Sequence, residues 1–500
     1  MAAMHQRKKE RKFFTMMRSL FSGVSGLKAH QTRMDVIGNN IANVNTTGFK
    51  SSRTTFADTL SQTLTGASAP QDNVGGTNPK QVGLGTGVAS IDLLFTDGSV
   101  QSTGKNTDLC LSGNGLFVVK QGSETYYTRD GAFAFDSEGN YVLPSSGLYV
   151  QGWMAEKGVL NTTGAADNIK IPAGKGMESE ATAKVTYANN LNASTLLITK
   201  IDGGTDAGGR KVATSTTPIT LTMSDGTTQT VTSGSYVEGR SIPVTTTATI
   251  YDSLGTKHSI PLLFELTSKD TSAGSTWTIS PAVTAKTTTT TSGTTTTTKT
   301  TYDTTIKEAD GSTTTVELSA GGTVSFDTKG AYKAGTTATT IKLTYEASKS
   351  GAAAPQTATI DLTGLTQYAG SSTINSTSDG HAAGTLSSVS VDASGKITGT
   401  YTNGVRQTEA QVAVAQFTNA SGLTKTGNSL YQESNNSGTA NVKTAADLGV
   451  TITPSALEMS NVDIANEFSD MIITQRGFQS NSKIITVGDE MLETLINMKR

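Results

Sequence analysis

Two stretches at opposite ends of the chain carry the same narrow apolar spacing, and nothing between them does. Near the start, Leu20, Val24, Leu27, Met34, Ile37, Ile41 and Val44 recur at steps of three and four, with Gln31 in the missing slot. Near the end, Ile464, Phe468, Met471, Phe478, Ile485, Leu492 and Ile496 keep the same rhythm, with Gln475 and Ser482 interposed. That spacing predicts two amphipathic helices, over 17–45 and 457–500, whose stripe is the seam of a coiled coil rather than the broad face of a helix lying on a sheet. Ser460 and Asp463, three residues apart, predict a capping box at the start of the second helix. A narrow seam returns about 2 kcal/mol for each apolar side chain it buries. Ordering costs about 1–2 kcal/mol for every residue along the backbone. Such helices therefore need neighbours on their remaining faces.

Between the seams, short runs of Val, Thr, Tyr and Phe alternate with turn dipeptides such as Asp97-Gly98, Asp130-Gly131, Asp225-Gly226 and Asn403-Gly404. Repeated hairpins and antiparallel sheets are expected. The resulting fold class is mixed and mainly β: terminal helices forming a coiled-coil core, with nested antiparallel β domains inserted between them. The 500 residues leave room for about three domains. The expected division is a helical core of 17–45 plus 457–500, a Gly/Asn/Ser-rich connector 46–95, an inner β domain 96–172 plus 396–456, and an outer β region 173–395. Within the last, 284–305 is nearly pure Thr, Ser and Lys and reads as an exposed ribbon or loop.

Composition excludes several functions. Lys plus Arg number 39 against 41 Asp plus Glu, so the basic footprint of a nucleic-acid binder is missing. No run of 18 apolar residues exists to insert in a membrane. The single cysteine, Cys110, permits no internal disulfide and reads as a buried, inert thiol between Leu109 and Leu111. No metal site, cofactor site or catalytic motif is found, and no enzyme is expected. The Gly-rich fragment Gly83 to Gly87 lacks the strand and helix of a phosphate loop. Arg7 to Lys12 imitates a signal-peptide start, but Arg18 interrupts the apolar run that would follow, so no cleavable signal is expected. Residues 1–15 read as a disordered extension or a mis-assigned start.

Longer strings carry a resemblance. LFSGVSGL at 20–27, MDVIGNNIANVN at 34–45, TGFK at 47–50, SNVD at 460–463 and MIITQRGFQSN at 471–481 are similar to the axial proteins of the bacterial flagellum, as are LSGNGLFVV at 111–119, YTRDGAF at 127–133 and YVQGW at 149–153. NNLN at 189–192 and TIYDSLGTKH at 249–258 resemble the outer domain of the hook branch of that family. The resemblance implies a homopolymer whose terminal helices pack between subunits. It also implies contact with rod protein, hook cap, hook-associated proteins and the type III export apparatus, and a place in the extracellular hook reached without signal cleavage. Asn39, Asn40, Asn43, Gly48 and Phe49 would form the family's signature turn. The basic start, the Thr-rich insertion and Cys110 depart from the family pattern. A distal rod or hook-associated protein is the near alternative. A secreted β-rich adhesin and a polysaccharide-acting enzyme are the alternatives of other classes.

Overall fold

A computed structural model of the chain describes residues 2–70, 75–207, 210–270, 272, 274–281, 286–292, 295–301, 304–307, 313–318, 322–333, 339–345 and 355–497. The chain divides into two units: Met1–Lys175 with Leu386–Thr400 and Arg406–Arg500, and Gly176–Thr385 with Tyr401–Val405. The second unit is thus inserted in the first, and the chain returns to the first at Leu386, earlier than the sequence boundary at 395.

The first unit holds both helices, α1 (Ala2–Ala42) and α2 (Ile464–Asn497). α1 begins at Ala2, within the stretch read from sequence as a disordered extension or a mis-assigned start. The stretch from Ala2 to Arg18 has no Gly or Pro and is rich in Ala, Met, Gln, Lys, Arg and Glu, all strong helix formers. At the other end the helix starts later than expected. Ala456–Glu458 is a strand paired with Val100–Ser102. The N-cap is Asp463, whose Oδ1 accepts the amides of Ala465 at 2.9 Å and Asn466 at 3.3 Å. Ser460 does not cap; its Oγ accepts only the Val462 amide. A carboxylate also suits the positive end of the helix dipole better than a hydroxyl.

The connector is a two-tier hairpin rather than a loop. Ser52–Asp58 pairs with Thr86–Leu93, and Ser61–Thr65 with Lys80–Gly83, both antiparallel. Next comes a β body whose strands run in the order Arg406–Val412, Leu148–Glu156, Leu116–Gln121, Glu124–Thr128, Leu430–Gln432, Thr424–Gly427. Both faces are covered. Along Leu116–Gln121, Phe117 and Val119 enter one core with Leu109, Phe133, Tyr141 and Val412. Leu116 and Val118 enter another, with Trp153, Ala413 and Tyr431. The period-two alternation of a strand thereby feeds two layers.

The second unit is a sandwich with one main core, which includes Tyr187, Phe264, Trp277, Phe326 and Leu343. One of its sheets breaks the antiparallel expectation, because Lys184–Asn192 lies parallel to Gln356–Tyr368. The residues between the two strands make up most of the unit, so the long crossover that parallel pairing demands is already present. A smaller core of Ile198, Ile201, Ile219, Leu221, Met223 and Tyr236 stands apart from the main one. The fully buried Glu265 bridges to it, taking Arg240 Nη1 at 2.8 Å and the Arg210 guanidinium. In the Thr-rich stretch, Lys286–Ser292 and Thr295–Thr301 pair as an antiparallel hairpin.

Candidate assembly site at the terminal helices

The two helices lie antiparallel, and only part of the apolar seam lies on their line of contact. Leu20 sits at Gly488, Gly23 at Ile485, Gly26 at Asn481 and His30 at Gly477. Arg33 Nη2 reaches Asp470 Oδ2 at 2.9 Å, and Asn40 Nδ2 reaches Glu467 Oε1 at 3.0 Å. Glycine permits this closeness: a Cβ on Gly26 would stand 2.8 Å from Asn481 Nδ2, and one on Gly477 would stand 2.7 Å from His30. The buried positions are accordingly Gly23, Gly26, Ala29, Ile37 and Asn40 on α1, with Thr474 and Gly488 on α2.

Of the seam residues expected from sequence, Ile37 alone is buried in the single chain. Leu20, Leu27, Met34, Ile41, Val44, Met471, Ile485 and Leu492 are half-buried. Val24, Ile464, Phe468, Phe478 and Ile496 are exposed, Ile496 to 70%. Phe21, Ile472, Ile473, Ile484, Val487 and Met491, which the seam pattern left out, are exposed as well. Gln31, Gln475 and Ser482 face outward too. Most large apolar side chains of α2 thus lie on the side turned away from α1, a concentration far beyond the scattered exposed residues of a monomer.

The signature-turn residues come together where α1 ends. Asn43 Nδ2 donates to Asn39 O at 2.9 Å, and Thr46 Oγ1 donates to Asn43 Oδ1 at 3.1 Å, winding up the last turn. Asn40, 1% exposed, grips the backbone of Ser52 in both directions, its Nδ2 donating to Ser52 O at 2.9 Å and its Oδ1 accepting the Ser52 amide at 3.0 Å. Gly48 has φ +63° and lies so near the next segment that a Cβ would stand 2.4 Å from the Asp130 amide nitrogen. Its own amide donates to Glu458 O at 2.8 Å. Phe49 is buried beneath the Lys425 ammonium, 3.9 Å from the ring centroid. Burial lowers the Lys425 pKa. A cavity of about 710 Å³ opens here, lined among others by Asn39, Asn43, Phe49, Asp130 and Lys425.

Beneath the turn lies a buried charge cluster that sequence reading did not single out. Glu458 Oε1 accepts Lys50 Nζ at 2.6 Å and the Gly98 amide at 2.9 Å, while Oε2 lies 3.2 Å from Arg129 Nη1. Lys50 also donates to Thr96 O at 2.6 Å, and Arg129 reaches Asp97 at 3.3 Å. All three central side chains are essentially sealed from solvent. Burial and the neighbouring Arg129 charge lower the Lys50 pKa, opposed by Glu458. Burial raises Asp130 and Glu467 above the usual carboxylate range. Burial, with the Glu458 charge, pushes the Cys110 thiol up to about 11. Lys50 and Glu458 are 408 positions apart, so no local spacing could have signalled them.

Family models match in chain order: a flagella basal body rod protein model at 20–50, a flagellar hook protein FlgE/F/G D1 domain at 110–192, a flagellar basal body protein FlaE D2 domain at 235–381 and a flagellar basal body rod FlgEFG protein C-terminal model at 453–498. The flagellar hook protein FlgE of Treponema pallidum is 38% identical over 507 residues, covering 97% of this chain and all of that protein. The chain belongs to the flagellar hook protein family. FlgE of Salmonella typhimurium is 31% identical across 96% of the chain and all of its own length. Rod protein FlgG of Bacillus subtilis is 28% identical across 97% of the chain and all of its own length. The crystal structure of Helicobacter pylori flagellar hook protein FlgE2 aligns over 72% of the chain and all of its own, with 17% identity and a TM-score of 0.42. As a member of the hook family the chain is a structural subunit of the flagellum. Among the described residues no helix is long and apolar enough to cross a membrane, and no group of three His, Cys, Asp or Glu side chains could hold a metal.

Proposed function

We propose that this hook subunit polymerises through its terminal helices, which form a coiled-coil core between subunits. Leu20, Val24, Leu27, Met34, Ile37, Ile41 and Val44 of α1 would pack with Ile464, Phe468, Met471, Phe478, Ile485, Leu492 and Ile496 of α2. The observation that carries this reading is the placement of the apolar residues of α2: its face toward α1 is built largely of small and polar residues, Thr474, Gly477, Asn481 and Gly488 with Ile485 among them, while Phe468, Ile472, Ile473 and Val487 stand exposed. Assembly would convert that exposed surface into core, at about 25 cal/mol per Å² removed from water.

The polymer so built is a curved, flexible tube that couples the rod to the filament and transmits torque. Thr- and Ser-rich outer strands with few large apolar anchors suit contacts that slide and re-form as the tube turns. Its partners are other copies of itself, the rod protein, the hook cap, the hook-associated proteins and the type III export apparatus, which passes the chain outward without cleaving a signal. The match of a D2 domain model to 235–381 supports a hook rather than a distal-rod role. Electron microscopy of purified full-length protein and of a chain lacking residues 17–45 tests the reading. Curved tubes that vanish with the truncation support it. Tubes that persist overturn the role of α1, and glycan-binding monomers would indicate an adhesin.

A further inference from the structure

A β body and a helical core can work as one rigid subunit only if the chain crossings between them are fixed in direction. Both crossings of this chain pass through one place. The segment leaving α1 contributes Lys50, the segment entering α2 contributes Glu458, and the β body contributes Arg129 and Asp97. Two asparagines flank the cluster. Asn40 clamps Ser52, and Asn461 accepts the Ser51 amide at 2.8 Å while donating to Leu94 O at 2.8 Å.

We infer that the Lys50–Glu458–Arg129 cluster is the joint that sets the angle at which both terminal helices leave the β body, and with it the geometry of the polymer. This rests on the helical-core reading above. Apolar packing is non-directional and tolerates rotation, whereas charge-assisted hydrogen bonds hold donor and acceptor to a narrow geometry. Buried ion clusters commonly add little stability over apolar replacements of equal volume. A cluster placed where two chain crossings meet a sheet is therefore suited to orientation. Each residue here is a positioning residue, acting through the chain crossings it holds.

The test uses full-length chains with Cys110→Ala, spin-labelled at Ser123→Cys in the β body and Lys483→Cys on α2, both exposed positions. Labelled subunits are diluted into unlabelled tubes, and the distance between labels is measured by pulsed electron resonance beside tube curvature by microscopy. Native chains should give one narrow distance. The combined variant Lys50→Met, Glu458→Leu, Arg129→Met should melt at a similar temperature and still assemble, yet give a distribution at least twice as broad and tubes of irregular curvature. An unchanged narrow distance in that folded variant overturns the inference. Should the combined variant not fold, Glu458→Gln takes its place: broadening supports the joint and an unchanged distance overturns it. If native chains form no tubes, the polymer reading fails by itself, and the same comparison on isolated subunits decides the joint.

Discussion

At Gly48 the backbone is left-handed and the Asp130 amide lies against the vacant Cβ position. Gly48→Ala is expected to cost about 1–3 kcal/mol, seen as a lower denaturant midpoint with unchanged slope. Single removal of a partner from the buried cluster is harsher. Glu458→Ala strands the buried Lys50 ammonium and leaves Arg129 with only the more exposed Asp97, and is expected to cost about 3–5 kcal/mol, a cost the fully apolar triple variant avoids. Cys110, fully buried with its pKa raised to about 11, should resist alkylation at pH 8 in the folded chain and react at once in denaturant. Equal rates in both states would contradict its burial. These residues were legible to different degrees. Cys110 between two leucines reads as core from its neighbours alone. Lys50, Arg129 and Glu458 do not, because a salt bridge across 408 positions leaves no trace in any window of sequence.

Titration separates Glu467 and Asp130 from Asp361 by sign. Glu467 and Asp130, raised chiefly by burial, hold a proton more tightly folded than unfolded. Their contribution to stability is present on the acid side and lost as pH rises through their folded values. Asp361 is held down to about 2, first by the hydrogen bond from Lys184, so its contribution is present above its ordinary 3.8 and lost as pH falls through 2. Acid titration followed by NMR should show the side-chain signals of Glu467 and Asp130 turning over at higher pH than those of Asp361. The reverse order would contradict both assignments.

For the helices, periodicity exposed their existence and their apolar residues, but not which face turns inward. Periodicity records which positions are apolar. It cannot say whether the covering surface belongs to the same chain. Here the close approach of the helices is permitted by Gly23, Gly26, Gly477 and Gly488, residues whose contribution is the absence of a side chain. Phe468→Asp with Ile472→Asp should therefore change the thermal stability of the isolated chain by less than about 0.5 kcal/mol, as exposed substitutions do, while abolishing assembly. Asp463→Ala should cost about 1 kcal/mol through the lost cap.

Across the whole molecule, the nesting of one β unit within another was legible from the shift in composition toward Thr and Ser, and the resumption of aromatic residues after the insertion. The parallel pairing of Lys184–Asn192 with Gln356–Tyr368 was not, since turn dipeptides signal only hairpins. The Gly/Asn/Ser-rich connector concealed a hairpin because its strands carry few apolar residues and a register shift between Thr55 and Phe56 breaks their alternation, Thr54 pairing with Ile91 and Phe56 with Val88. Deleting 176–385 should leave assembly possible and straighten or stiffen the tube. Loss of all assembly with a folded remainder would count against a core made by helices.

The most direct measurement is the labelling rate of single cysteines placed at Phe468, Ile472, Ile473 and Val487 in a Cys110→Ala chain, using a water-soluble maleimide before and after assembly. The expected result is rapid labelling of the dilute chain at all four and at least tenfold slower labelling in tubes, with an exposed control such as Ser123→Cys unchanged. Tubes in which the four positions keep the rate of the dilute chain would show that the exposed stripe of α2 is not the core of the polymer.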